Sequence, residues 1–154
     1  MYTKILVPLD GSDLAECVLQ YVKWFIKVSD VNELVLLRVV EHLHIPGELE
    51  GSIIPEERER IEQDAAKLAR DYLNELAPGF QKTGLKVRAE VLVGKPAKTI
   101  AEYVGKSNVD LIIMATHGFS GIHRWVRGSV ADEILHAARV PVFLVRPEDR
   151  PPDR

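Results

Sequence analysis

Short, mostly apolar runs alternate along this chain with longer segments whose apolar residues recur at helical spacing, and few architectures satisfy both. Leu111 to Met114 reads as a strand buried on both faces, Lys4 to Leu9 as a short buried strand, and Leu34 to Val40 and Pro141 to Arg146 as further strands. Pro8 falls near the end of the Lys4 strand, where a missing N–H is tolerated. Leu85 to Val93 places Leu85, Val87, Ala89, Val91 and Val93 on alternate positions, so it is expected to be a strand with one poorer face. Between the strands fall helical patterns. The first is capped by Ser12 and carries Leu14, Val18, Tyr21, Val22 and Phe25. A long one runs from about Pro55 to Leu76, with Ile61, Ala65, Leu68, Tyr72 and Leu76 on one stripe, and Pro78-Gly79 ends it. Two more carry Ala97, Ile100, Ala101 and Val104, and Val130, Ile134, Leu135 and Ala138. The order βαβαβαβαβ implies an α/β fold, a mostly parallel sheet covered on both faces and joined by right-handed crossovers.

Length and charge narrow the function classes. The 154 residues suit one domain, expected over 1–147, with a polar, Pro-rich tail at 148–154 expected to be disordered. A formal net charge of -3 offers no basic field for nucleic acid, and no basic helix or aromatic stacking ladder appears. The one cysteine, Cys17, precludes an intrachain disulfide and fits a reducing compartment; set among apolar residues, it reads as a packed thiol. No apolar run approaches the roughly 18 residues of a membrane span, and the expected location is cytoplasmic. The polar stretch Glu41 to Pro55 is expected to be a mobile loop, and its His42 and His44 lack a third ligand for a metal.

Chemistry concentrates between Leu111 and Val130. Thr116-His117-Gly118 follow the apolar strand, Gly121 and Gly128 lie in the loop, and Ser129 is placed to cap the next helix. No Asp or Glu occurs between Leu111 and Ala131, whereas His117, His123, Arg124 and Arg127 all fall there. Glycines let main-chain N–H groups approach a ligand, and a helix start adds unpaired donors and partial positive charge. Strand, glycine loop and capped helix can therefore cradle an anion, most naturally phosphate. An ordinary βα connection with a Gly-Ser cap has the same local appearance. The convergence of strand ends separates the two readings. The Asp10 turn, the Val39-Val40 strand end and the loop after Met114 all lie at carboxyl ends, where open parallel sheets bind ligands at the topological switch point.

Two common nucleotide motifs are absent. Gly94-Lys95 is followed by Pro96, which lacks the donor a P-loop needs, and no G-x-G-x-x-G follows the first strand. Asp10-Gly11-Ser12-Asp13 faintly resembles the pyrophosphatase loop of synthetases but lacks its paired glycines. The longer match is to the universal stress protein family. Ile5 to Ser12 resembles that family's first strand and turn, Val93 to Ala97 its G-x-P segment, Ile113 to Gly118 with Gly128-Ser129 its ATP-binding signature, and Pro141 to Val145 its last strand.

The resemblance implies a Rossmann-like open five-stranded parallel sheet of order 3-2-1-4-5 with helices on both faces. The ATP-binding branch carries G-x2-G-x9-G-[ST]. Here Gly118 takes the second glycine, Phe119 to Arg127 form the spacer, Gly128-Ser129 complete it, and Ala115 replaces the first glycine. Alanine is the mildest replacement where φ is negative, so binding is expected to weaken rather than vanish. Carried over by position, the resemblance implies adenine and ribose contacts from Pro8, Leu9, Asp10 and Val39. It sets Met114 and Ala115 beside the sugar, and Gly118, Gly128, Ser129 and Val130 around the phosphates. The basic loop residues His117 and Arg127 are further candidates for the phosphate chain.

Those residues suit the roles independently. Asp10 can accept from ribose hydroxyls or an adenine amino group, or simply form its turn; Ser129 can donate to phosphate, or simply cap its helix. No activated nucleophile with a general base and no metal cluster is evident, which favours a non-catalytic protein binding ATP or AMP. Mg²⁺ accompanying ATP would be held largely by phosphates and water. Two alternatives stay open: slow ATP hydrolysis assisted by His117 or His123, and a nucleotide-free dimeric interaction module. The resemblance also implies a homodimer through the last strand, with Val142, Leu144 and Val145 pairing across a two-fold axis.

Overall fold

The apolar runs become the strands of one sheet, and the helical patterns cover its faces. The computed structural model describes residues 2–43, 54–80, 84–116 and 130–147. In chain order the elements are β1 (Lys4–Pro8), α1 (Asp13–Glu16), α2 (Leu19–Val28), β2 (Glu33–Val40) and α3 (Pro55–Leu76), with a 3-10 turn at Ala77–Phe80. Then follow β3 (Lys86–Val93), α4 (Pro96–Lys106), β4 (Leu111–Ala115), α5 (Val130–Ala137) and β5 (Val142–Val145). The five strands lie in the order β3-β2-β1-β4-β5, as expected, and every pairing is parallel.

Alternation along each strand divides the core in two. Ile5, Val7, Leu34, Leu36, Leu111 and Ile113 face Val18, Val22, Ile26 and Leu73 from α2, α3 and the turn before α2. Leu6, Val35, Leu37, Ile112 and Met114 face Ala97, Ile100 and Val104 of α4 and Ala131 and Ile134 of α5. Two buried faces explain why the central strands contain almost no polar residue. β3 is an edge strand without a fully buried residue, which accounts for its poorer face.

Helix phases depart from expectation in three places. The helix begun by Ser12 is split: backbone dihedrals stay helical through Cys17 and Val18, but the hydrogen-bond ladder breaks there, giving α1 and α2. Within this segment Leu14 and Tyr21 are exposed, and Ala15 and Ile26 take core positions instead. On α3 the expected stripe is rotated: Leu68 is 69% exposed and Ile61 is exposed, whereas Ala69 and Leu73 are buried. Small Ala69 lets the helix approach the sheet closely, which turns its larger neighbour outward. On α5, Val130 and Leu135 are exposed while Ala131 and Ile134 are buried.

The helix α3, at about 33 Å, is longer than the strands it covers at about 26 Å. Its overhang lies at the amino-terminal turns, where residues 55–61 are all exposed. Glu62 there reaches back to the end of β2, accepting from the Leu43 N–H at 3.3 Å and facing His42 Nδ1 at 3.3 Å. The amino edge of the sheet is held differently. The Asp110 carboxylate accepts from Thr3 N–H and Thr3 Oγ1, both at 2.8 Å, and from Lys4 N–H. Glu33 pairs with Lys4 and Arg88, each at 3.3 Å. Burial alone would raise its carboxyl pKa, but hydrogen bonds from those two cations outweigh burial and hold it below the ordinary value.

Most of the loop expected at Glu41 to Pro55, the tail at 148–154 and the Gly128-Ser129 helix opening lie outside the described residues. Among the described residues no helix is long and apolar enough to cross a membrane.

Candidate functional site

β1 runs between β2 and β4, so the chain leaves β1 toward one side of the sheet and later returns to pair on the other. The carboxyl ends of β1 and β4 therefore border the switch point, where crossing connections leave a crevice. Pro8 closes β1, and the Leu9 N–H donates to Leu37 O at 2.9 Å, extending the pairing with β2 by one residue. Leu9 is buried at 4% exposure, so its side chain is core and only its main chain borders the crevice.

Asp10 follows, exposed at the sheet edge. Its Oδ1 accepts from the Ser12 N–H at 2.9 Å and from the Ser12 hydroxyl. The Ser12 oxygen in turn accepts from the Ala15 N–H at 3.1 Å, capping α1 as expected. Gly11 between them has φ +84, a conformation a side chain would strain. The turn after β1 is thus a fixed structure with a carboxylate at its start. A shallow depression of about 320 Å³ lined by Gly11, Ser12, Asp13 and Leu14 lies beside it.

Val39 sits near the end of β2, opposite Leu92, half-buried on the α4–α5 side. Beyond it the Gly94 N–H donates to Val40 O at 3.0 Å, tying the turn after β3 to the end of β2. Met114 and Ala115 close β4 at 6% and 9% exposure. Met114 belongs to the α4–α5 core and Ala115 to the other. The Ala115 methyl is thus a core group. The Thr116 N–H donates to Val145 O at 2.9 Å, so the strand pairing outlasts β4. Val130 is the first residue of α5 and is exposed. Asp132 and Glu133 occupy that helix's first turn, partly offsetting its positive end.

The structure brings Pro8, Leu9, Asp10, Val39, Met114 and Ala115 to one edge of the sheet, at the ends of its three central strands. His117, Gly118, Arg127, Gly128 and Ser129 lie outside the described residues, as do His123, Arg124 and Trp125.

Residues the sequence reading passed over lie against the same turn. The Arg38 guanidinium comes so close to Gly11 that a Cβ there would stand 2.6 Å from its Nη1. Its Cζ lies 5.5 Å from the centre of the Tyr72 ring. The Tyr72 hydroxyl donates to Glu16 Oε1 at 2.9 Å. Burial, and then the bond to Glu16, push the Tyr72 hydroxyl well above its ordinary pKa, so it stays protonated and keeps donating. The available signal was Arg38 itself, a charge set inside the run Glu33-Leu34-Val35-Leu36-Leu37-Arg38-Val39-Val40.

Nothing among these groups forms a nucleophile with its base. Cys17 is half-buried and burial raises its thiol pKa, which disfavours the reactive thiolate. Among the described residues no group of three or more His, Cys, Asp or Glu could hold a metal ion.

Comparison with known proteins places this geometry in a family. The model of the universal stress protein family matches residues 1–146. Universal stress protein MJ0531 of Methanocaldococcus jannaschii is 31% identical over 151 residues, spanning 95% of this chain and 83% of its own length. MJ0577 of the same organism is 28% identical over 156 residues, spanning 95% and 96%. Its solved structure superposes with a TM-score of 0.81 over 97% of this chain and 99% of that one. An Arabidopsis thaliana member of the family, described with AMP bound, shares the fold at a TM-score of 0.60 and 17% identity, over 98% and 97% of the two chains. This chain belongs to the universal stress protein family.

Proposed function

We propose that this protein binds an adenine nucleotide, ATP or AMP, at the carboxyl ends of β1, β2 and β4, and signals its bound state without turning the nucleotide over. The observation that carries the reading is the meeting of Asp10, Val39 and Met114-Ala115 beside the reversal of strand order. Asp10 supplies an acceptor for ribose or the adenine amino group, and Val39 an apolar wall for the base. The start of α5 and the glycine-bearing segment before it supply main-chain donors for phosphates. The Arabidopsis protein that shares this fold, described with AMP bound, supports the reading.

Ala115 in place of the signature glycine favours weakened binding over lost binding, since its methyl packs within the core. Mg²⁺ would travel with ATP, coordinated by phosphates and water. The proposed setting is cytoplasmic, in stress-response signalling through a protein partner.

Calorimetric titration with ATP, AMP and GTP, with and without Mg²⁺, tests the reading. Saturable, adenine-selective binding without phosphate release is the expected outcome. Turnover lost in His117→Ala and His123→Ala would establish a hydrolase instead, and no binding at millimolar nucleotide would leave an interaction module.

The proposed assembly is a homodimer through β5. Among the described residues that strand pairs only with β4, and its outer main chain is the edge proposed to pair with a second copy. Val142 and Leu144 are half-buried and available for contact, whereas Val145 is buried within its own core and contributes main chain alone. Sedimentation at micromolar concentration should give a particle of twice the 17.3 kDa chain mass; a monomer would refute the dimer.

A further inference from the structure

The contacts around Gly11 close into a ring that joins α3 to the turn after β1. Asp10 accepts from Ser12, and Ser12 caps α1 at Ala15. Glu16, at the end of α1, accepts from the Tyr72 hydroxyl at 2.9 Å. Tyr72, on α3, presents its ring to the Arg38 guanidinium at 5.5 Å. Arg38, on β2, returns to Gly11, with Nη1, Cζ and Nη2 at 2.6, 3.1 and 3.4 Å from the place a Cβ would take. The absence of that Cβ is what lets the guanidinium lie against the turn.

Among the described residues Arg38 makes no ion pair, and its guanidinium lies against the Tyr72 ring and Gly11. Arg38 projects from β2 on the face opposite Val39, since successive side chains alternate. It therefore presses on the turn from behind the proposed base wall. A cation stacked on an aromatic ring and wedged against a glycine restricts both partners.

We propose that Arg38, seated on Tyr72, is a positioning residue that holds the Asp10-Gly11-Ser12 turn in the form that receives the base and ribose, and that α3 senses nucleotide through the same contacts. The inference rests on the adenine-nucleotide reading above and deepens it. Arg38 does not touch the ligand in this account. It raises the population of the competent turn, and apparent affinity scales with that population.

The role separates from a direct charge contact by a comparison of ligands. Arg38→Met keeps an apolar stem but removes the guanidinium. If the turn then holds its competent form about a tenth of the time, ATP and AMP both bind about tenfold more weakly, by the same factor. Arg38→Lys retains a cation over the ring and should recover most of the affinity. Tyr72→Phe keeps the ring, loses the bond to Glu16 and should fall between. In the nucleotide-free protein, amide hydrogen exchange at Gly11 and Ser12 should quicken in Arg38→Met while the midpoint of thermal unfolding moves little.

Calorimetry with ATP and AMP on the full chain, alongside exchange measured by NMR, gives these readouts. Equal affinity of wild type and Arg38→Met overturns the inference, and a loss confined to ATP overturns it by making Arg38 a direct phosphate contact. Should Arg38→Met fail to fold, Tyr72→Phe carries the test, and wild-type affinity with unaltered exchange in that variant overturns the inference. If the wild type itself binds neither nucleotide, the nucleotide reading falls and takes this inference with it. That result is distinct from failure of the inference alone, in which wild type binds and the variants bind as well.

Discussion

Gly128→Asp should abolish ATP binding, with an affinity loss of at least about a hundredfold, equivalent to ~2.7 kcal/mol, and leave the fold standing. Gly128 lies two residues before the start of α5 at Val130. In the proposed complex the triphosphate lies against this glycine, and a carboxylate added there opposes charge with like charge in a partly desolvated setting. The same substitution is mild for the apo protein. Aspartate is favoured just before a helix, where it accepts from free N–H groups and meets the positive end of the dipole. Thermal unfolding of the variant should stay within a few degrees of wild type, and calorimetry should show no saturable heat with ATP. Undiminished affinity would remove phosphate docking from the account.

Leu73→Ala should destabilise the protein by about 2–5 kcal/mol, while Leu68→Ala, five residues earlier on the same helix, should change stability by less than about 0.5 kcal/mol. Leu73 is 0% exposed and Leu68 69% exposed. Leu73 packs with Leu34, Leu36 and Phe80 in the core beneath α3. Deleting its branched side chain forfeits transfer energy and leaves a space that a densely packed interior closes only in part. For a chain of this size the expected drop in midpoint is about 5–15 °C, readable by calorimetry or circular dichroism. Near-equal effects of the two substitutions would mean that α3 sits on the sheet in another phase.

That pair of leucines also shows where sequence reasoning succeeds and where it stops. The ends of α3 at Pro55 and Leu76 were legible, because a proline at the first helical position and Pro78-Gly79 beyond the last are chemical punctuation. The buried face was not. Ala65, Leu68 and Tyr72 form as good a stripe as Ala69 and Leu73, and the choice is made by how closely the helix can approach the sheet. The break between α1 and α2 left no mark in composition, since Cys17 and Val18 keep helical dihedrals across it. Alternating strands and helices made the parallel pairing and the handedness of the crossovers legible, whereas the strand order came from the family resemblance.

At the site, the strand ends were legible for the same reason. Asp10, Val39 and Met114 each lie at or beside the carboxyl end of an apolar run, and carboxyl ends share one edge in a parallel sheet. Arg38 and Tyr72 were not, although they lie against the Asp10 turn. Arg38 is a lone charge inside the apolar stretch Leu34 to Val40, and Tyr72 was assigned to a helix stripe. Only the approach of α3 to β2 brings the two together, 34 residues apart in sequence, through the contact at 5.5 Å.

The central claim is that an adenine nucleotide docks where β1, β2 and β4 end. Titrating ATP into isotopically labelled protein and following backbone amide shifts locates the ligand directly. The account predicts saturable shifts concentrated at Leu9, Asp10, Gly11, Val39, Val40, Met114, Ala115 and Val130, with Thr3, Asp110 and the amino edge of the sheet unmoved. Saturable shifts centred elsewhere, or none at millimolar ATP, would contradict it.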